Sequence, residues 1–451
     1  MSLGACRLKK RILAMVVGLW ASLILPSCGG SKTTSPPSGL PFRVLASQAV
    51  TSTTNFGSLR FIDGQNDTLA RIAPLSAGNS PDLIAISPSR NIVAAFDPIT
   101  TSVYASDTTR ESTLGRVPLS GLTTSMVVPT STPIGFAAVP TAAVTGFQYL
   151  GGIQEMNFSG QGLITTIAAT NAQTVVSNAT GSQLLVFNGT NSLYVIAPGN
   201  ALPIVDTSCY SGVQNPVCTI VSGFDQPVFA IINGNTAYIF NCGAECGGVQ
   251  ASIQTLDLST FAVGTPLPVN GATYGFLNGS TLYVAGNGTP TGQLCSSLTS
   301  SVNPKTAATY CGTLDIVDVN SMTDPFYNSP GTEIAVPDGY HDQMDLSING
   351  QLFVGSRVCT NIGNANNPSG EVRGCLAIFN TTNNSLVIPP DNGNVDGLQS
   401  FTSRDIEYVA EGGNLRVYDT QRNILLINDF VPNGTINIVG YVSGVKAIDF
   451  F

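Results

Sequence analysis

The stretch Asp338-Gly-Tyr-His-Asp-Gln-Met-Asp345 gathers the one histidine of this 451-residue chain, His341, with three carboxylates and a tyrosine, and Arg357 follows soon after. Carboxylates beside an imidazole orient it and stabilise its cation, so this composition suits a general base or a metal ligand. His341, Asp342, Asp345 and Arg357 are accordingly the catalytic candidates, with Glu371 and Arg373 near them in sequence. The competing reading is a hydrogen-bonded fixture between two strands, in which nothing reacts. One histidine leaves Ser/His and multi-histidine metal mechanisms without most of their parts. No metal and no cofactor are therefore expected, and a non-enzymatic role is favoured.

The elements that must position these residues are strands. A short strand-like phrase returns eight times, among them Gly57-Ser-Leu-Arg-Phe-Ile-Asp, Ser102-Val-Tyr-Ala-Ser-Asp, Gly152-Ile-Gln-Glu-Met-Asn-Phe, Gly312-Thr-Leu-Asp-Ile-Val-Asp and Asn414-Leu-Arg-Val-Tyr-Asp. Recurrence at roughly 40 to 60 residues is the mark of a β-propeller, whose four-stranded blades bury their faces only by stacking on neighbours. In the clearest unit, Asp82-Leu-Ile-Ala-Ile-Ser is the innermost strand, Asn91 to Phe96 the second, Ser102 to Asp107 the third and Ser112 to Val117 the outer edge. The phrase is thus a third strand, and the expected fold is an all-β propeller of eight blades, or seven if the unit around Gly152 is an insertion. The first unit lacks an innermost strand, while Thr435-Ile-Asn-Ile-Val-Gly-Tyr and Val445-Lys-Ala-Ile-Asp-Phe-Phe are surplus at the other end. A ring closed by that surplus removes the exposed edges. Asp338 to Asp345 then lies in a fourth-to-first connection beside the mouth of the central channel.

The amino terminus reads differently. Arg7, Lys9, Lys10 and Arg11 precede the apolar run Ile12 to Leu25, which is too short to span a bilayer and reads as a secretory signal. Leu25-Pro26-Ser27-Cys28 resembles the bacterial lipobox, which implies acylation of Cys28 and anchoring in the membrane by more than one chain. Expected boundaries are a signal over 1–27, a Gly/Ser/Thr/Pro-rich tether over 28–41 and the propeller over 42–451. Loss of the four basic residues with the signal leaves 14 Lys and Arg against 27 Asp and Glu. A body so acidic, without a basic cluster, is a poor nucleic-acid partner. The expected place is the cell envelope, as an outer-membrane, periplasmic or surface lipoprotein.

After Cys28, Cys209, Cys218, Cys242, Cys246, Cys295, Cys311, Cys359 and Cys375 form four close sequential pairs around loop-like sequence. Local disulfides in an oxidising compartment are expected. Cys242-Gly-Ala-Glu-Cys246 also has zinc-ligand spacing, the less favoured alternative.

Ser192-Leu-Tyr-Val-Ile-Ala, Thr281-Leu-Tyr-Val-Ala-Gly-Asn, Leu352-Phe-Val-Gly and Glu407-Tyr-Val-Ala resemble the Tyr-Val-Thr-Asn (YVTN) β-propeller repeats of microbial surface proteins. The resemblance implies the propeller and leaves the activity open. The only tryptophan, Trp20, lies in the signal, which argues against quinoprotein propellers, Asp-box sialidases and Trp-Asp repeats. No Gly-x-Ser-x-Gly elbow, P-loop, His-Glu-x-x-His or Asp-rich calcium loop is present. The leading expectation is a binding module for a protein, peptide or glycan. The alternative is a lactonase-like hydrolase working through His341, Asp342, Asp345 and Arg357, since some YVTN-like propellers resemble sugar-lactone hydrolases.

Overall fold

The computed structural model describes residues 36–50, 57–198, 218–287, 311–327, 332–359, 374–389, 393–401, 403–429 and 431–449. Cys28, Cys209, Cys295, Glu371, Arg373, Phe450 and Phe451 lie outside them. Leu40–Phe451 is one compact unit, separate from Met1–Gly39. No helix among the described residues is long and apolar enough to cross a membrane.

The unit is an eight-bladed β-propeller of antiparallel sheets. From inside outward, blade 2 runs Leu83–Ile86, Ile92–Asp97, Ser102–Asp107 and Ser112–Pro118. Blade 3, built on Ser125–Val127, Ile134–Val139, Gly152–Asn157 and Gly162–Ala168, is a full blade, so the count is eight. Blades 4, 5 and 6 begin at Thr174–Ser177, Pro227–Asn233 and Tyr274–Asn278. Blade 7 holds Tyr340–Leu346, Gln351–Arg357, Leu376–Asn380 and Leu386–Val387, and blade 8 begins with Val395–Ser400, Ile406–Glu411 and Asn414–Asp419.

Blade 1 is the seam. Its second strand, Arg43–Gln48, pairs with Ser58–Asp63 on one side and with Val445–Ala447 on the other. Tyr441, at the end of the first surplus stretch, extends the closure by bridging Ala49, whereas Thr435–Ile436 pairs with Leu415 and Arg416 at the edge of blade 8. Alternation along Arg43–Gln48 sends Val44 and Ala46 into the core shared with blade 8, and Leu45 into the core shared with blade 2. Ion pairs lock the seam: Arg43 holds Asp449 through Nε at 3.0 Å and Nη2 at 2.7 Å, and Glu111 of blade 2 through Nη1 at 2.8 Å.

The recurring phrase now has a physical cause. Asp63, Asp107, Asn157, Asp257, Asp318, Asn380 and Asp419 each end a third strand, and their side chains accept backbone N–H groups two or three residues on at 2.8–3.2 Å. Four residues beyond each, Asp67, Glu111, Gln161, Phe261, Met322, Asn384 and Asn423 adopt positive φ, which completes the turn into the outer strand. In seven blades, therefore, this face of the disc carries tight, self-capped turns, the exception being the connection 197–217 of blade 4. On the opposite face open the second-to-third and fourth-to-first connections, among them 287–311 and 358–375; this loop face surrounds the channel mouth on the side of His341.

Candidate binding face at the channel mouth

The inner strand of blade 7 starts at Tyr340, so Tyr340, His341 and Asp342 belong to the strand and not to the connection expected from sequence. Tyr340 pairs with Arg357 and His341 with Ser356, but Gln343 pairs with Gly355, which leaves Asp342 as the extra residue of a β-bulge. Blade 8 repeats the device: Val395 pairs with Glu411 and Gly397 with Ala410, so Asp396 is bulged. Two neighbouring inner strands thus each present an aspartate, off the ladder, at the upper end.

Around these carboxylates the mouth is polar. Asp342 forms an ion pair with Nη2 of Arg357, whose guanidinium lies 5.9 Å from the centre of the Tyr340 ring. The Tyr441 hydroxyl donates to Oδ2 of Asp396 at 2.8 Å. Burial pushes the Asp342 carboxyl up to about 6 in spite of Arg357, and the charge of Asp396 adds to the rise. Burial also raises Asp396, with Tyr441 and Arg357 opposing and Asp82 of blade 2 reinforcing.

His341 faces elsewhere. Its ring is buried, 2 % exposed, and Nε2 donates to the Pro337 carbonyl at 2.9 Å. Gly312 makes room for it, since an added Cβ there would stand 2.5 Å from Cε1. Burial pulls the imidazole down to about 4, so it is neutral near pH 7. Because the unfolded chain takes up this proton near pH 6.5 and the folded chain only near 4, stability from this group is present above 6.5 and is lost as pH falls through that window. Denaturant melts of wild type are expected to lose up to roughly 3 kcal/mol between pH 6.5 and 4 from this source, a loss that His341→Gln abolishes while lowering stability at pH 7 by about 1–3 kcal/mol. Equal pH slopes in the two proteins would refute the assignment.

Asp345 is also drawn away. Its carboxylate accepts the backbone N–H groups of Ser400 at 2.7 Å and Leu346 at 2.8 Å, clipping blade 7 to blade 8. Of the four candidates, only Asp342 and Arg357 meet. Among the described residues no group of three or more His, Cys, Asp or Glu side chains is placed to hold a metal ion.

Sequence reasoning missed Asp396, Tyr441, Glu245 and Asn287. Glu245 accepts the backbone N–H of Asn287 at 2.9 Å and its Nδ2 at 3.0 Å, and Oδ1 of Asn287 accepts the Gly339 N–H at 3.0 Å. This relay joins the loops of blades 5, 6 and 7. Its signal was Glu245 inside the Cys242 to Cys246 interval. That interval is bridged, as is Cys359 with Cys375, each with Cα atoms 5.6 Å apart. Cys218 and Cys311 are disulfide-bonded as well, the other members of their expected pairs lying outside the described residues. Replacing Cys359 and Cys375 by Ala is expected to cost about 3 kcal/mol for a loop of this length, by the chain-entropy relation. Calorimetry that finds no loss would contradict a native bridge.

Exposed apolar side chains are unevenly placed. Of fifteen large ones among the described residues, nine, including Leu150, Val249 and Val358, stand on loop-face connections and strand ends. Five lie on or beside outer strands, and only Ile348 is on the turn face.

No family model matches the chain, and no curated protein matches its sequence. Solved structures match in shape. Dihydro-heme d1 dehydrogenase NirN in complex with DHE aligns over 92 % of this chain and 79 % of its own, with a TM-score of 0.58 at 11 % identity. The computationally designed Ika8 protein aligns over 83 % of this chain and 96 % of its own, with a TM-score of 0.49 at 9 % identity. At such identities the likeness to NirN is one of fold alone.

Proposed function

We propose that the chain is an extracytoplasmic interaction module, anchored through acyl chains on Cys28, whose loop face binds a protein, peptide or glycan. The observation that carries this reading is the gathering of exposed apolar side chains on one face, nine against one. Such side chains, gathered on one face of a disc, favour an interaction surface there. Disulfides in the loops of that face favour an oxidising compartment. The signal-like amino terminus and Leu25-Pro26-Ser27-Cys28 favour export and lipidation, and the Tyr-Val phrases favour kinship with YVTN-like surface propellers. Gly29, in place of the aspartate that often retains lipoproteins at an inner membrane, favours the outer membrane. A hydrolase is less well supported, because the Nε2 hydrogen of His341 is committed to Pro337.

A photoreactive residue placed at Leu150, Val249 or Val358 in cells is expected to give adducts of defined mass, and none from Ile348. Adducts absent from the loop face, or equal from both faces, reject the reading. Cys28→Ser is expected to abolish fatty-acid labelling and release the protein from membranes; continued membrane retention at unchanged mass rejects the anchor.

A further inference from the structure

We infer that a cleft at the seam of the ring is a separate small-ligand site, and that it takes the carboxylate of an acidic sugar on the guanidinium of Arg60. The cleft holds about 500 Å³ and lies between the outer half of blade 1 and the connection that leads out of blade 8. Small-molecule sites commonly enclose roughly 300–1,000 Å³, so a mono- or disaccharide is the size of ligand it suits. It is distinct from the surface around Leu150, Val249 and Val358, which do not line it.

Strand alternation builds the site. On the face of blade 1 that meets blade 8, Val44, Ala46 and Ile62 belong to the apolar core. Toward the loop face the same alternation places Gln48, Ser58 and Arg60, and Ser76 pairs with Ser58. A row of three polar side chains thus crosses three strands, with the guanidinium two residues further along. The outer strand opens the cleft by leaving the sheet. Thr68–Leu69 pairs with Asp63 and Ile62, and Leu75–Ser76 with Leu59 and Ser58, so residues 70–74 stand opposite Arg60 and Phe61 alone. The far wall is fixed, because Tyr441 bridges Ala49 and the Gln48 amide donates to the Val439 carbonyl.

Arg60 points to the ligand. Arg43, Arg357, Arg404 and Arg416 each face a carboxylate, whereas the half-buried side chain of Arg60 has no ion pair among the described residues. No Asp or Glu among the described residues lines the cleft, and Thr51 to Phe56, next in sequence to Val50, contain no charged residue. A guanidinium without an anion keeps its planar fork of donors open, and one fork matches one carboxylate. A doubly charged anion would bring more charge than one cation balances. The Ser58 hydroxyl donates to Oε1 of Gln48 at 2.8 Å and keeps its acceptor lone pairs, and Ser76 is exposed, so both suit sugar hydroxyls. Val50, Pro74 and Val439 supply apolar surface for the C–H face of a ring.

The test uses the full-length chain in detergent, titrated by calorimetry with digalacturonate, with the neutral disaccharide cellobiose and with sulfate. Digalacturonate is expected to bind at one site, more weakly as salt rises, and cellobiose and sulfate about tenfold more weakly still. Arg60→Gln should weaken digalacturonate about tenfold by removing the charged fork, whereas Arg110→Gln, at an exposed position on the turn face, should leave it unchanged. Should Arg60→Gln misfold, Ser76→Phe, at an exposed position on the rim, is expected to fill the cleft and abolish binding. No binding of digalacturonate, equal binding of digalacturonate and cellobiose, or an affinity that neither variant lowers overturns the inference. Sulfate bound as tightly as digalacturonate, and lost in Arg60→Gln, overturns it too and leaves a simple anion site. Absence of photoadducts from Leu150, Val249 and Val358 would reject the interaction face and leave these titrations as they are, so the two readings fail separately.

Discussion

Deletion of residues 445–451 is expected to unfold the propeller rather than trim it. Val445, Ala447 and Ile448 are buried in the cores on both sides of blade 1, and Asp449 receives three bonds from Arg43. Burial of Val445 and Ile448 alone contributes roughly 1.5–3 kcal/mol each. Withdrawing Asp449 from the buried Arg43 guanidinium adds about 3–5 kcal/mol. The sum reaches the whole stability of a typical domain, and two unpaired edges are left behind as well. A truncated protein that melts within a couple of degrees of the parent would show that the seam does not depend on this strand.

Asp67→Ala is expected to cost about 3–5 kcal/mol at the other side of the same blade. Asp67 is buried at a turn with φ 54°. Its carboxylate takes Nη1 and Nη2 of Arg404 at 2.7 and 2.6 Å and the hydroxyl of the fully buried Tyr408 at 2.5 Å. Alanine leaves the Arg404 charge and the Tyr408 hydroxyl facing an apolar side chain, and is itself strained at positive φ. Asn tolerates that backbone better, so Asp67→Asn isolates the loss of charge and should fall between wild type and Asp67→Ala in thermal melts. Identical melting of all three would remove the ion pair from the account of how blades 8 and 1 are joined.

The blades were readable because seven of the eight third strands end in an Asp or Asn that folds its own turn, a local signal repeated with local chemistry; the third strand of blade 4 ends at Ile196 instead. Closure was readable because a missing inner strand at one end matched surplus at the other. The site was less so. Asp342 and Asp396 owe their position to bulges, and a bulge is a property of register between two strands, invisible in the composition of either. Asp345 and His341 share the same acidic stretch as Asp342, yet alternation and pairing send one to Ser400 and the other to Pro337. Thr435–Ile436 resembles a closing strand in sequence but pairs within blade 8, since both edges offer the same unpaired backbone groups.

The pairing of Leu45 with Lys446 also bears on how the chain reaches its native state. The two ends of the disc must find each other across nearly the entire polypeptide, which makes this the contact of highest sequence separation and a slow one to form. Until it forms, a nearly complete stack of blades carries two raw strand edges, a species prone to aggregate. A chain threaded from its amino terminus through an export channel cannot close its ring until the last strand emerges. Under the proposed export, the open form would meet the far side of the membrane before its edges are paired, and would need protection there.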